Sequence, residues 1–142
     1  MTQPLVLVAL DPSDIEAQEH ILRAAAAEAD TRGANLAQLL VIEAMSHAGT
    51  GDAFAERTRN LMQDAVRRAD SWAETTLGRK VHTYVAYGDA DAKIIDEARN
   101  LGAALLVMGE RRQRAIDRVL GSVATAVSEG APCPVKLVPP VA

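Results

Sequence analysis

Short, unbroken apolar runs alternate along this chain with longer stretches whose apolar residues recur every three to four positions. Leu5-Val6-Leu7-Val8-Ala9-Leu10 is continuous hydrocarbon closed by Asp11-Pro12-Ser13, the pattern of a strand buried on both faces. Ser13 and Glu16 then stand at capping-box spacing, and Ile15, Leu22, Ala25 and Ala29 share one helical face up to Gly33, so a helix beginning at Ser13 is predicted. Leu36 to Ile42 reads as a second buried strand, and Ser46 to Gly51 as a surface loop. Phe54, Leu61, Ala65, Ala69, Trp72, Ala73 and Leu77 give a second helix its apolar face, ending at Gly78. Val81 to Tyr87 is the third strand, and Gly88-Asp89 turns into a helix carrying Ile94, Ile95, Ala98 and Leu101. Ala103 to Met108 is the fourth strand. Gly109 opens a loop before a helix with Ile116, Val119, Leu120, Val123 and Val127, and Val135 to Val138 is the fifth strand.

Strands that alternate with helices at this spacing specify an α/β fold, a doubly wound parallel sheet with right-handed crossovers. Ligands of such sheets sit outside the carboxyl ends of the strands, where strand order reverses. Asp11, Ile42 and Gly109 lie at such ends. No linker, low-complexity tract or repeat interrupts the series, so residues 1–142 are expected to form one domain.

Composition narrows the function. Only 3% of the residues are aromatic, so the core is aliphatic and few rings are left to stack on bases or a flavin. A net charge of −4 argues in the same direction, because a duplex-binding surface carries a basic excess. Nucleic acid is not an expected partner. The apolar run ending at Leu10 is too short to span a bilayer, so no membrane partner is expected either. Cys133 is the sole cysteine, which excludes an intramolecular disulfide and fits a reducing, cytoplasmic compartment.

Candidate catalytic groups are sparse. His20, His47 and His82 show no metal-ligand spacing, and Ser122 has neither a nucleophile-elbow context nor a neighbouring histidine. Cys133 lies between prolines at the start of a strand, where an inert thiol is expected, and Asp89 and Asp91 read as capping and dipole residues of the third helix. No catalytic residue and no metal site is assigned.

The most informative stretch runs from Gly109 to Ser122. Val107-Met108-Gly109, Gly121-Ser122-Val123 and Ala131-Pro132-Cys133-Pro134-Val135, together with Val8-Ala9-Leu10-Asp11-Pro12-Ser13, Val41-Ile42-Glu43 and Tyr87-Gly88-Asp89-Ala90, resemble the universal stress protein family over nearly the whole chain. The resemblance implies a flavodoxin-like five-stranded sheet of order 3-2-1-4-5 and a homodimer joined through the last strand, Val135 to Val138. It also implies a non-catalytic stress-response or regulatory protein with an adenine-nucleotide pocket, for ATP or another adenine nucleotide. The positions carried over are Asp11 and Val41 near the adenosine, Met108 and Gly109 at the loop entrance, and Gly121, Ser122 and Val123 near ribose and phosphates.

The loop departs from the family pattern in one place. Arg112 stands where ATP-binding members have the second glycine of Gly-x-x-Gly, and the spacing from it to Gly121 is one residue short. Glycine there allows backbone amides to approach phosphate oxygens, which a Cβ opposes. Arg111, Arg112 and Arg114 instead bring guanidinium groups suited to phosphate into the same loop. The loop is thus either an altered phosphate site, in which Arg111 and Arg112 bind, or a solvated basic segment of an interaction protein with a vestigial pocket. A slow ATPase using Glu110 to orient water is the remaining alternative.

Overall fold

β1 (Leu5–Leu10), β2 (Asn35–Ile42), β3 (His82–Tyr87), β4 (Leu105–Gly109) and β5 (Val135–Val138) form one parallel sheet in the order β3-β2-β1-β4-β5. This computed structural model describes residues 3–43, 51–111 and 120–141. The helices are α1 (Glu19–Arg32), α2 (Asp52–Leu77), α3 (Ala90–Asn100) and α4 (Ser122–Gly130). The architecture is the flavodoxin-like, doubly wound sheet that the alternating pattern predicts.

Successive strand residues point to opposite faces, and both faces are covered. Val6, Val8, Leu10, Leu40 and Val107 pack with Ile21, Leu22, Ala25 and Ala29 of α1 and Ala69 and Ala73 of α2. Leu7, Ala9, Leu39, Val41, Leu106 and Met108 pack on the other face with Ile94 and Ala98 of α3 and Ala124 and Val127 of α4. This arrangement explains why the strands read as unbroken apolar runs rather than alternating ones.

Three expectations are corrected. The first helix does not start at Ser13 with a Ser13–Glu16 box. Asp11 is the cap: its Oδ1 accepts from the Ser13 amide at 3.0 Å and from Ser13 Oγ at 2.7 Å, and a 3-10 segment, Pro12–Gln18, precedes α1. Proline directly after Asp11 fixes the turn, and the short Asp11 carboxylate reaches the amide two residues on. The predicted apolar face of α2 packs on the core at Ala65, Ala69, Trp72, Ala73 and Leu77, but Leu61 does not: it is 50% exposed and lines the space beyond the strand ends. The last helix starts at Ser122, so Leu120 lies ahead of it and is exposed, while Ile116 and Val119 fall outside the described residues. The predicted loop Ser46 to Gly51 is described only at Gly51.

Gln18, Gln38 and Thr83 are the buried polar side chains among the described residues, and Gln38 and Thr83 meet beneath α2. Gln38 of β2 is fully buried, its Nε2 donating to Ala69 O of α2 at 3.1 Å and to Thr83 Oγ1 of β3 at 2.8 Å, while the Thr83 hydroxyl donates to Asp70. At the far edge of the sheet, Lys136 of β5 is tied to Glu28 of α1 by a 2.8 Å ion pair. The lysine, with Arg32 behind it, holds the exposed Glu28 carboxyl below its ordinary value.

Candidate functional site

In this strand order the chain reverses direction of winding between β1 and β4, so their carboxyl ends flank a crevice that the helices do not fill. A cleft of about 980 Å3 occupies that position, bounded by the ends of β1, β2 and β4, the 3-10 segment, α2 and the start of α4. It lies at the upper end of the usual range for small-molecule sites.

Asp11, Val41, Met108, Gly109, Arg111, Gly121, Ser122 and Val123 all line it. Arg112 and Arg114 lie outside the described residues, as does His47. Val41 and Met108 are buried and give the cleft an apolar floor. Asp11 is exposed at the rim, and its backbone is bracketed by one side chain: its amide donates to Gln18 Oε1 at 2.9 Å, and Gln18 Nε2 donates back to its carbonyl at 2.8 Å. The same Nε2 reaches Asp14 O at 2.9 Å, so Gln18 fixes the first wall.

The opposite wall is built by the chain leaving β4. The Glu110 amide donates to Val138 O of β5 at 3.0 Å, and the Gly121 amide donates to Glu110 O at 2.9 Å. These two bonds draw the start of α4 against the end of β4. The approach is close: a Cβ on Gly121 would meet Arg111 Cα at 3.3 Å and Glu110 O at 3.4 Å, so a side chain there would have to shift the backbone by a few tenths of an ångström. Gly121 N-caps α4 without a side-chain bond, and the first intrahelical bond runs from the Thr125 amide to Gly121 O. The amides of Ser122, Val123 and Ala124 therefore precede the helical ladder, at the positive end of the helix dipole.

Arg111 is the basic residue of this wall. Its side chain is 19% exposed, and Nη1 donates to Glu110 Oε1 at 2.7 Å. Nε is buried and has no hydrogen-bond partner among the described residues. A buried donor left unpaired costs on the order of 1–3 kcal/mol.

The 3-10 segment, α1 and α2 supply lining residues that sequence reasoning did not single out, notably Gln18, Ile21, Leu61, Asp64 and Arg68. Gln18 carried a legible signal, being polar between Ile15 and Leu22 on the same predicted face. Nothing local marked Leu61 or Arg68, because their role follows from where α2 overhangs the sheet.

The described histidines stay apart from the cleft. Neither His20 nor His82 lines it, and His82 instead packs edge-on against Tyr84. No cluster of three or more metal-ligating side chains occurs among the described residues. Asp89 occupies the N-cap position of α3 without a side-chain cap bond, while Asp91 Oδ1 accepts from the Ala92 amide. Burial pushes the half-buried Cys133 thiol up. Among the described residues, no helix is long and apolar enough to cross a membrane.

Comparison with known proteins agrees with this fold. The model of the universal stress protein family matches residues 5–139. Universal stress protein A homolog 2 of Coxiella burnetii is 29% identical over 137 residues, covering 92% of this chain and 90% of that protein. UspA of Lactobacillus plantarum superposes with a TM-score of 0.70 at 26% identity, over 97% of this chain and 99% of the other. The universal stress protein of Archaeoglobus fulgidus, solved in complex with dAMP, gives 0.63 at 25% identity over 96% and 98%. A family match spanning residues 5–139, from β1 through β5, together with the shared fold, means that this chain belongs to the universal stress protein family.

Proposed function

We propose that the protein is a non-catalytic regulator of universal stress type whose cleft holds an adenine nucleotide, ATP or one with fewer phosphates. The observation that carries this reading is convergence: residues far apart in sequence, from Asp11 to Val123, meet in one cleft with an apolar floor and a donor-rich wall. Val41 and Met108 suit a base, while Arg111 and the first amides of α4 suit phosphate oxygens. Arg112 joins them on sequence grounds alone. The dAMP bound by the Archaeoglobus fulgidus relative supports the same ligand class. Glu110, the only water-orienting candidate from the sequence, is engaged by Arg111 and is absent from the cleft lining, which favours binding over hydrolysis.

Thermal unfolding with AMP, ADP and ATP tests the reading. A ligand at a hundred times its Kd adds about 2.7 kcal/mol of stability, a rise of about 8 °C in Tm for a chain of this size. No shift with any of the three would leave the interaction-protein alternative, and phosphate release above the buffer rate would restore the ATPase one.

We also infer a homodimer through β5. It is an edge strand paired only with β4, and Val135, Leu137 and Val138 are half-buried, so a second copy would complete both the ladder and their burial. Sedimentation is expected to give dimer mass at micromolar concentration, and a monomer under those conditions would refute the assignment.

A further inference from the structure

We propose that the outer edge of β3 docks an extended segment of another protein, which joins the sheet as a sixth strand and seats alternate apolar side chains in a groove between β3 and α2. This does not depend on the nucleotide reading, and three observations carry it. First, β3 ends the sheet on the side away from β5, and its outward backbone groups are unpaired among the described residues. The Gly88 amide donates to Ile42 O, so in this register the even residues of β3 turn their amides and carbonyls to β2, and Thr83, Val85 and Tyr87 turn theirs outward. Thr83 is only 8% exposed, so pairing centres on the half-buried Val85 and Tyr87. Second, the edge lacks guards. His82-Thr83-Tyr84-Val85-Ala86-Tyr87 contains no lysine, acid or proline, the residues that keep an open edge from pairing. Third, a groove of about 490 Å3 lies beside it, lined by Val85 and Tyr87 and by Phe54, Met62 and Val66 of α2, all half-buried. Of the chain's one Phe, one Trp and two Tyr, three stand on or beside β3. Phe54 packs edge-on against Tyr87 at 6.5 Å, and Tyr84 lies on the other face of the strand. Clustered aromatic side chains with area still to bury are characteristic of the centre of an interface.

The occupant follows from these groups. Amides and carbonyls spaced two residues apart along an edge match the backbone of another extended chain, and main-chain pairing beside a side-chain pocket is an established mode of peptide recognition. Side chains of the added strand alternate between faces, so every second one enters the groove. The charged residue of the groove is Arg59, which is exposed and has no ion pair among the described residues, whereas Arg67 is engaged by Asp64 and Arg79 by Asp30. A carboxylate on the docked segment complements it. The partner is therefore an extended segment with apolar residues at alternate positions and an acidic residue facing Arg59.

A capped octapeptide with valine at alternate positions, threonine between them and one glutamate is the probe, titrated into the full chain and followed by amide hydrogen exchange read by NMR. Saturable binding is expected to slow exchange of the Val85 and Tyr87 amides by about tenfold or more, while the Ala86 amide, already held by β2, is unchanged. N-methylation of the peptide amides along one edge is expected to weaken binding about tenfold, and N-methylation along the other edge to leave it intact, because a strand pairs through one edge only. Arg59→Glu, a change at an exposed helix position, is expected to weaken the glutamate peptide about tenfold and to strengthen its lysine analogue. No saturable binding at millimolar peptide, equal losses from the two methylated isomers, or binding without protection at Val85 and Tyr87 would each overturn the proposal. Assembly of the protein alone beyond dimers, with the same two amides protected, would make a second copy the occupant and overturn it as well. Equal affinity of Arg59→Glu for the glutamate and lysine peptides would overturn the acidic character assigned to the partner.

Discussion

A Leu106→Ala protein is expected to lose about 3 kcal/mol of unfolding free energy and to melt about 10 °C below the parent. Leu106 is fully buried in β4, in register with Leu7 of β1 on one side and Val135 of β5 on the other. Its side chain joins the cluster formed with α3 and α4. A strand held on both sides cannot collapse into the space left by the missing carbons, so the cavity cost adds to the lost transfer energy. Leu120→Ala is the control. That leucine is 39% exposed, and its truncation is expected to change stability by less than about 0.5 kcal/mol. Chemical denaturation of the two variants checks both values, and a loss below about 1 kcal/mol for Leu106→Ala would contradict the packing described.

Gly121→Val is expected to weaken adenine-nucleotide binding on the order of 100-fold while lowering stability by a smaller amount, about 1–2 kcal/mol. The backbone at Gly121 has φ −64°, which valine tolerates, so the cost is spatial. The added Cβ meets Arg111 Cα at 3.3 Å and Glu110 O at 3.4 Å, and both are backbone atoms that cannot rotate away. Relief requires the start of α4 to move off the end of β4, stretching the bond from the Gly121 amide to Glu110 O. The first amides of α4 and Arg111, which the proposed nucleotide site uses for phosphate, then lose their common focus. Gly121→Ala is expected to be milder, because only a single methyl must be accommodated. Calorimetric titration of AMP into both variants checks the order, and wild-type affinity in Gly121→Val would remove this wall from the site.

How much of this was legible in the chain depends on the range of the forces involved. The strands were plain because a strand covered on both faces has to be written in hydrocarbon, as Leu5 to Leu10 is. The cleft followed from topology, since Asp11, Ile42 and Gly109 fall at strand ends whatever the details of packing. Failures came where a local rule met a tertiary one. Ser13 and Glu16 have the spacing of a capping box, but the Asp11 carboxylate takes both the amide and the hydroxyl of Ser13. Leu61 keeps helical phase with Ala65 and Ala69, yet phase says nothing about where the sheet beneath α2 ends. The ion pair of Glu110 with Arg111 was invisible for a similar reason. Adjacent residues rarely share a face, and only the anchoring of Glu110 to Val138 and Gly121 turns the two side chains toward each other.

The buried amide of Gln38 answers a difficulty raised by the rest of the core. The buried residues of α2 against the sheet are Ala69 and Ala73, flanked by the partly buried Ala65, Trp72 and Leu77, and apolar contacts of this kind are non-directional. Hydrocarbon alone leaves the helix free to slide like a rod in a groove. The two donors of Gln38 are satisfied only when the carbonyl of Ala69 and the hydroxyl of Thr83 arrive together, which happens at one setting of the rod. Leu61, Asp64, Ala65 and Arg68 then overhang the strand ends at a defined height. The buried pair Gln38 and Thr83 thereby acts as the detent that sets the height of α2 beside the cleft.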